Sequence, residues 1–426
     1  MTDMALDRVV AGPSRQTRET VANAALLRSQ LARAEFNGSM RAMMLVLPLL
    51  VFVFISFVLP IGYLLRHAIY DPDIQNNLSR TVAVLEHWDG KDVPGEAAFA
   101  ALVADAKAIT ESNVPSLIGK RLNYEISGSR SKIVTAIKKA SQAQSWPYKD
   151  ALIKAAPILG DRLTWAKMKQ AGVALNTYYL ISMFDLERDA DGNVRAVDEQ
   201  RAVYKLIFGR TLYISLIVTL ATLLLGYPVA YLLASLPART ANLLMIFVLL
   251  PFWTSLLVRT TAWFVLLQDN GPINDSLMAF GATSGPLQLI NSRFGTIVAM
   301  THIQLPFTLL PIYSVMKGIS PFYMRAARSL GGGPIYSFWR IYLPLTLPGV
   351  GAGCLLTFIL SLGYYITPAL VGGPADQMVS GIIAQAMNSE GNWGKASALG
   401  AILLVATLLL FWVYNQLVGI DKVKLG

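Results

Sequence analysis

Long apolar runs separated by polar stretches set the organisation of this chain. Six runs are long enough to cross a membrane as helices, at about 43–65, 208–234, 241–267, 294–316, 346–370 and 396–418, because a span needs roughly 20 mostly apolar residues. The pattern predicts an all-α membrane protein with six transmembrane helices and one large insertion between the first two. A segment 1–42 precedes the first span, 43–65. Residues 66–205 form the insertion, 206–418 a five-helix core, and 419–426 a short tail. Within 1–42, Thr20, Ala24, Leu27, Leu31 and Ala34 recur at helical spacing, with Arg18, Arg28 and Arg33 off that stripe. A helix lying on the inner membrane surface and a weakly ordered tail both fit. The segment is long and mixed in charge, and the run behind it exceeds a signal core, so no cleavable leader is expected.

The insertion carries helical patterns near 96–112, 131–143 and 150–170. In the stretch ERDADGNVRAV, Asp191-Gly192 between short extended segments reads as a hairpin turn. A calcium loop is not expected there, since the glycine falls too early and no glutamate sits at the required distance.

Composition sharpens this picture. The chain is 54% hydrophobic and 15% charged, too apolar for an ordinary soluble protein. Its net charge of +10 is distributed by loop, which argues for topology and against nucleic acid. The loop 235–240 carries Arg239, and 317–345 carries Lys317, Arg325, Arg328 and Arg340 with no acid. Residues 268–292 hold Asp269 and Asp275 without a cation before Arg293, and 371–394 hold Asp376 and Glu390 without one. Cation-rich short loops face the cytoplasm, so both termini should be cytoplasmic and the insertion outside. Cys354 stands alone and the three histidines are scattered, so neither a disulfide nor a zinc site is expected.

The loop SPFYMRAARSLGGGPIYSFWRIYLPLTLPGV, residues 320–350, is the most ordered of the polar segments. Ser320 can cap a helix whose first position is Pro321. Gly331-Gly332-Gly333 and Pro334 stop it, and a second helical segment runs to Leu343-Pro344, where the fifth span is expected to begin. Ala326 and Ala327 should leave a thin surface for a partner.

These residues resemble the permease signature of binding-protein-dependent ABC importers: Glu-Ala-Ala, three residues, Gly, nine residues, Ile, one residue, Leu-Pro. Here Arg325-Ala326-Ala327, Gly331, Ile341 and Leu343-Pro344 keep the spacing, with Arg325 where the family usually has glutamate. The segments 210–234, 251–263, 268–277, 343–358 and 367–374 further resemble membrane subunits of spermidine/putrescine-type importers. The resemblance implies a six-helix permease in the bacterial inner membrane with the insertion on the extracytoplasmic side. It also implies that the 317–345 loop couples to a dimer of ATP-binding subunits. Further partners would be a second, different permease chain, an extracytoplasmic solute-binding protein and membrane lipid. ATP and Mg would sit on the ATPase partner, with no cofactor on this chain. No Gly-Lys pair is followed by Ser or Thr, so a phosphate-cradling loop is not expected, nor is an enzyme activity.

Polar residues inside the spans are pathway candidates: Arg259, Thr254, Ser255, Gln304, Ser361, Tyr364 and Tyr365, with Thr301 and Thr308 as pathway or interhelical contacts. Arg259 reads equally as a gate residue or as a snorkelling cation. His302 reads as a satisfied interhelical histidine, and Gly363 and Pro368 as permitting a break in span five. Two other classes compete with the permease reading. A receptor with 66–205 as sensor leaves the four later spans unexplained. An ion-gradient transporter predicts acids within the spans, and none is present.

Overall fold

The computed structural model describes Met40, residues 43–109 and residues 112–418. The stripe from Thr20 to Ala34 and the tail 419–426 lie outside the described residues. The chain divides after Tyr63 into two units, each taken by itself. The first holds all but the last three residues of the span Met43–Arg66, a helix loosened by a π-turn at Phe54–Val58. Its side chains up to Tyr63 are exposed on every face. Apart from Ser56 and Tyr63 they are apolar or glycine, as a helix bathed in hydrocarbon requires.

In the second unit the insertion folds as short helices around its own core, filled by Phe99, Leu102, Ile118, Leu122, Ile133, Ile137, Leu159 and Trp165. The Phe99 and Trp165 rings pack at 4.8 Å, and the buried indole N–H donates to Leu159 O at 2.7 Å. Helices occupy Glu96–Ile109 and Arg130–Ser141, close to expectation. The expected 150–170 helix is instead Lys149–Ala155 and Arg162–Ala171, separated by a 3-10 turn at Pro157–Gly160. Pro157 has no N–H to continue the first, and Asp161 caps the second by accepting from Leu163 N. The hairpin forms as expected: β1, Leu186–Arg188, pairs antiparallel with β2, Val194–Ala196, and Gly192 takes the positive φ of the turn, +88°.

A buried ion network stiffens the insertion. Arg121 pairs with Asp71 and with Glu125, the latter at 2.9 Å, and Lys167 reaches Glu125 at 3.4 Å. Burial pulls the Arg121 guanidinium down, but the carboxylates of Glu125 and Asp71 hold it above its ordinary range. Burial also raises the Tyr178 and Tyr179 hydroxyls, so both stay protonated. Asp185, itself at a positive φ of 55°, accepts from Val203 N, Tyr204 N and Lys205 N at 2.8–2.9 Å. It thereby caps the N-terminus of the second span, where an anion meets the orphan N–H groups and the positive end of the helix dipole.

The remaining spans are Tyr204–Ser235, a bent pair Ala238–Trp253 and Leu256–Leu266, Arg293–Gly318, Pro334–Gly363 and Trp393–Gln416. Two expectations need correction. The third span is not continuous. It turns by 94° at Thr254-Ser255, because Pro251 interrupts the first half and the Ser255 hydroxyl caps the second by accepting from Val258 N at 3.2 Å. The fifth span begins not at the Leu343-Pro344 step but at Pro334, through a π-turn at Phe338–Tyr342. It stops at Gly363, and after Tyr364-Tyr365 a short helix Ile366–Val371 follows. Pro368 lies inside that short helix, so the break belongs to Gly363 and the two tyrosines.

The fourth span is the most buried and packs on the second and fifth. The fifth presents to it a stripe of small residues, Thr346, Gly349, Gly353, Thr357 and Ser361. Backbones approach closely here: a Cβ on Gly353 would sit 2.5 Å from Thr308 O. Hydroxyls bridge the same seam. Thr308 Oγ1 donates to Thr222 Oγ1 at 2.8 Å and lies 2.6 Å from Thr357 Oγ1, and Ser361 Oγ donates to Gln304 Oε1 at 2.7 Å. Interhelical hydrogen bonds in membranes average only about 0.6 kcal/mol, so close packing is the stronger of the two. Thr308→Val should therefore lower thermal stability of the detergent-solubilised chain modestly. Gly353→Val should abolish the folded species in size-exclusion chromatography; the reverse ranking would refute close packing as the stronger contribution.

Candidate functional site

The loop after the fourth span folds into the helix Pro321–Ser329. Ser320 Oγ accepts from Phe322 N at 3.3 Å, the expected cap. Gly331 adopts φ +85°, a left-handed conformation that glycine takes at little cost. It lets the chain reverse so that Gly332 N donates to Ala327 O at 3.0 Å and Ser337 N to Gly333 O at 2.9 Å. The Ser337 hydroxyl, itself buried, donates to Gly332 O at 3.3 Å. The helix is thereby held to the base of the fifth span by a short rigid turn.

What the helix shows to its surroundings differs from expectation. Ala327 is only 7% exposed and faces inward, where a small side chain lets the helix pack on the π-turn at Phe338–Tyr342. The outward surface is aromatic and cationic: Phe322 at 67%, Leu330 at 90% and Trp339 at 64% exposure, with Tyr323, Ile335, Tyr336, Arg325 and Arg328 also exposed. Ala326, Ile341 and Leu343 are half-buried, while Pro344 is exposed.

The π-turn locks the loop to the second span through an aromatic cluster that local sequence does not announce. Phe338 and Tyr342 stack at 5.8 Å, and Tyr231 meets them edge-on at 5.7 and 5.4 Å. Tyr227 adds an edge contact to Phe338 at 6.4 Å, and its hydroxyl lies 3.1 Å from Thr346 Oγ1. Tyr342 also joins the core of Ala230, Leu233, Leu309, Ile312 and Met316. The i, i+4 spacings Tyr227/Tyr231 and Phe338/Tyr342 are visible in the sequence; their pairing across 107 residues (231 to 338) is not.

A second group of polar residues gathers where the two broken spans meet. The helix Leu256–Leu266 packs on Ile366–Val371, and Thr260 Oγ1 lies 3.1 Å from Thr367 Oγ1. The structure brings Arg259 and Tyr364 near one another here. Arg259 Nε and Nη1 are buried without a hydrogen-bond partner. The Tyr364 hydroxyl is buried beside Thr367 without a hydrogen bond of acceptable geometry. Trp263 Nε1 donates to His302 Nδ1 at 3.1 Å, the interhelical role expected of that histidine. Gln304 and Ser361 bond to each other, while Gln304 Nε2 and Thr301 Oγ1 are buried and unpaired. Thr254 and Ser255 are exposed at the bend and serve their own backbone, Thr254 Oγ1 donating to Pro251 O at 2.8 Å. Tyr365 is exposed. Among the described residues no cluster of His, Cys, Asp or Glu could hold a metal.

Residues 209–418 match the family described as binding-protein-dependent transport system inner membrane component. The chain is 34% identical over 214 residues to the spermidine/putrescine transport system permease protein PotB of Haemophilus influenzae, covering 50% of this chain and 75% of that protein. The Escherichia coli PotB is 33% identical over 218 residues, with 50% and 79% covered. This chain belongs to that family. The inner membrane ABC transporter permease protein YdcU of Escherichia coli is 32% identical over 234 residues, with 51% of this chain and 74% of that protein covered. The chain is thus a multi-pass inner-membrane permease component of an ABC transport system, a transport role and not an enzymatic one.

Within such a permease the aromatic cluster is a packing joint, and its strength is measurable. A double-mutant cycle on Tyr231→Leu and Phe338→Leu should give a coupling of about 0.5–1.5 kcal/mol in thermal unfolding of the purified chain, the range for edge-to-face pairs. Strictly additive effects would mean that the rings do not act on each other.

Proposed function

We propose that this chain is the transmembrane permease subunit of an ATP-driven, binding-protein-dependent importer working by alternating access. Its cargo is a polyamine such as spermidine or putrescine, or a related small amine-containing solute. The observation that carries this reading is the capped, glycine-terminated helix Pro321–Ser329 with an exposed aromatic and cationic face. The cargo class follows that of the PotB relatives.

In this reading the helix and the turn through Gly331, with Ile341 and Leu343-Pro344 behind it, seat against one member of an ATP-binding dimer. ATP and Mg belong to that dimer, and this chain's residues receive its movement. A push on the helix passes through Gly332 and Ser337 to the π-turn, then through Phe338 and Tyr342 to Tyr231 and Tyr227 on the second span. Arg325 stands where the family usually has glutamate, and its exposed guanidinium offers the ATPase surface a cation instead of an anion. A second, different permease chain completes the pathway. The basic loops 235–240 and 317–345 lie on the cytoplasmic side, which puts both termini there and the insertion outside, where a solute-binding protein docks.

Gly331→Val forces a β-branched residue into a left-handed conformation, at a cost of about 1–2 kcal/mol. In the reconstituted complex, uptake should fall roughly tenfold or more, while ATP hydrolysis persists and the chain remains in the membrane. Unimpaired uptake by this variant would count decisively against the coupling role.

Replacing the part of the insertion between Asp73 and Ala171 by a short linker should remove stimulation of ATP hydrolysis by the binding protein and leave basal hydrolysis. If stimulation survives, the docking role of the insertion is wrong.

A further inference from the structure

We propose that Arg259 anchors a carboxylate-binding site where the bent third span meets the broken fifth. The inference rests on the permease reading above and adds to it the chemistry of one ligand group.

The argument starts from donors. A guanidinium carries five N–H donors and no acceptor. Two of its nitrogens, Nε and Nη1, are buried here without a partner, on a side chain that is half-buried as a whole. Nor do these two atoms hydrogen-bond any carbonyl of the described residues. The neighbours add donors and no anionic acceptor. An indole N–H can only donate, so the 3.1 Å contact from Trp263 fixes His302 Nδ1 as the acceptor. A neutral His302 ring then carries its proton on Nε2. The Tyr364 hydroxyl brings another O–H. Arg259 lies within electrostatic reach of both residues.

Among the described residues Arg259 forms no ion pair with an acid. The six spans contain no Asp or Glu. Asp376, which follows the fifth span, is already paired with Arg293 at 2.9 Å. A half-buried arginine with two unpartnered nitrogens inside a membrane protein persists where a partner group or a watery path meets it. The planar fork of Nε and Nη groups matches the two oxygens of a carboxylate. A bare polyamine offers only cations and is the wrong partner for it. The missing group is therefore a carboxylate, brought either by the cargo or by an Asp or Glu of the second permease chain.

The test uses the full reconstituted complex and two probes that differ by one carboxylate, putrescine and ornithine. If the cargo supplies the group, wild type should prefer ornithine. Arg259→Gln should then lose ornithine uptake at least tenfold while putrescine uptake holds. If the second permease supplies it, Arg259→Gln should reduce uptake of both probes equally and weaken co-purification of that chain. Should Arg259→Gln fail to fold, Arg259→Lys keeps the charge but not the fork, and the same split between probes and co-purification is read from it. Uptake of both probes and co-purification all matching wild type in either variant would overturn the site. A wild-type complex that moves neither probe with ATP would instead count against the cargo class and the permease reading, a result separate from any effect of Arg259.

Discussion

A polar group in hydrocarbon can be satisfied only by protein, and that constraint organises the membrane part of this chain. Where the backbone stays helical, each span satisfies itself, and contact between spans falls to small side chains and hydroxyls. The stripe from Thr346 to Ser361 on the fifth span meets Thr222, Gln304 and Thr308 for this reason. Where the backbone leaves the helix, a side chain must step in. Ser255 caps the second half of the third span, and Ser380 Oγ donates to Tyr364 O at 2.7 Å beside the break in the fifth. The two breaks touch through Thr260 and Thr367. Irregular backbone at membrane depth is tolerated when it lines a cavity or is buried in protein. Bringing two breaks together is thus a costly arrangement that transport explains and lipid solubility alone does not.

The loop helix is held differently. Its shape comes from local geometry: a serine cap, a proline at the first position and a glycine at positive φ. Its connection to the bundle is aromatic. Edge-to-face rings held in place resist shear as well as separation. Tyr231 touches both Phe338 and Tyr342, so the π-turn and the second span share one aromatic contact. A π-turn is an unusual element that recurs at functional positions. Here Phe338 and Tyr342 stand at its two ends and stack on each other.

Much of this is legible in the sequence, and the failures share a cause. Hydrophobic length locates five spans as single helices and the expected third as a bent pair, because burial in lipid depends on local composition. The Ser320 cap, the Gly331 turn and the hairpin at Asp191-Gly192 are legible because they are written in four or five adjacent residues. The bend at Thr254-Ser255 escapes such a reading because Leu256–Leu266 keeps the hydropathy of a span while turning away from it. The expected 150–170 helix runs across Pro157 for the same reason, periodicity outvoting a breaker. Ala327 suggests an outward surface when its smallness serves inward packing, which only the π-turn's position reveals. The aromatic joint and the Arg121 network depend on residues tens to a hundred positions apart, where local pattern carries no signal.

The insertion's attachment to the bundle follows from the same demand that polar groups be satisfied. A 32-residue helix beginning at Tyr204 leaves orphan N–H groups at its N-terminus. Asp185, contributed by the insertion, accepts from three consecutive ones. A second tie is steric: the Tyr179 ring lies against Gly394 at the start of the sixth span, where a Cβ would come within 2.2 Å of it. The same tyrosine packs with Met183, Val379, Ala398 and Leu399 and reaches the Asp71–Arg121 pair. The ion network inside the insertion therefore ends on the residue that grips the bundle. A domain joined to the second span by a carboxylate and to the sixth by an inserted ring cannot swing freely from a tether. The second span is also the one gripped at its other end by Phe338 and Tyr342. One helix is thus held near both ends, by the insertion at its start and by the loop's aromatic joint near its finish.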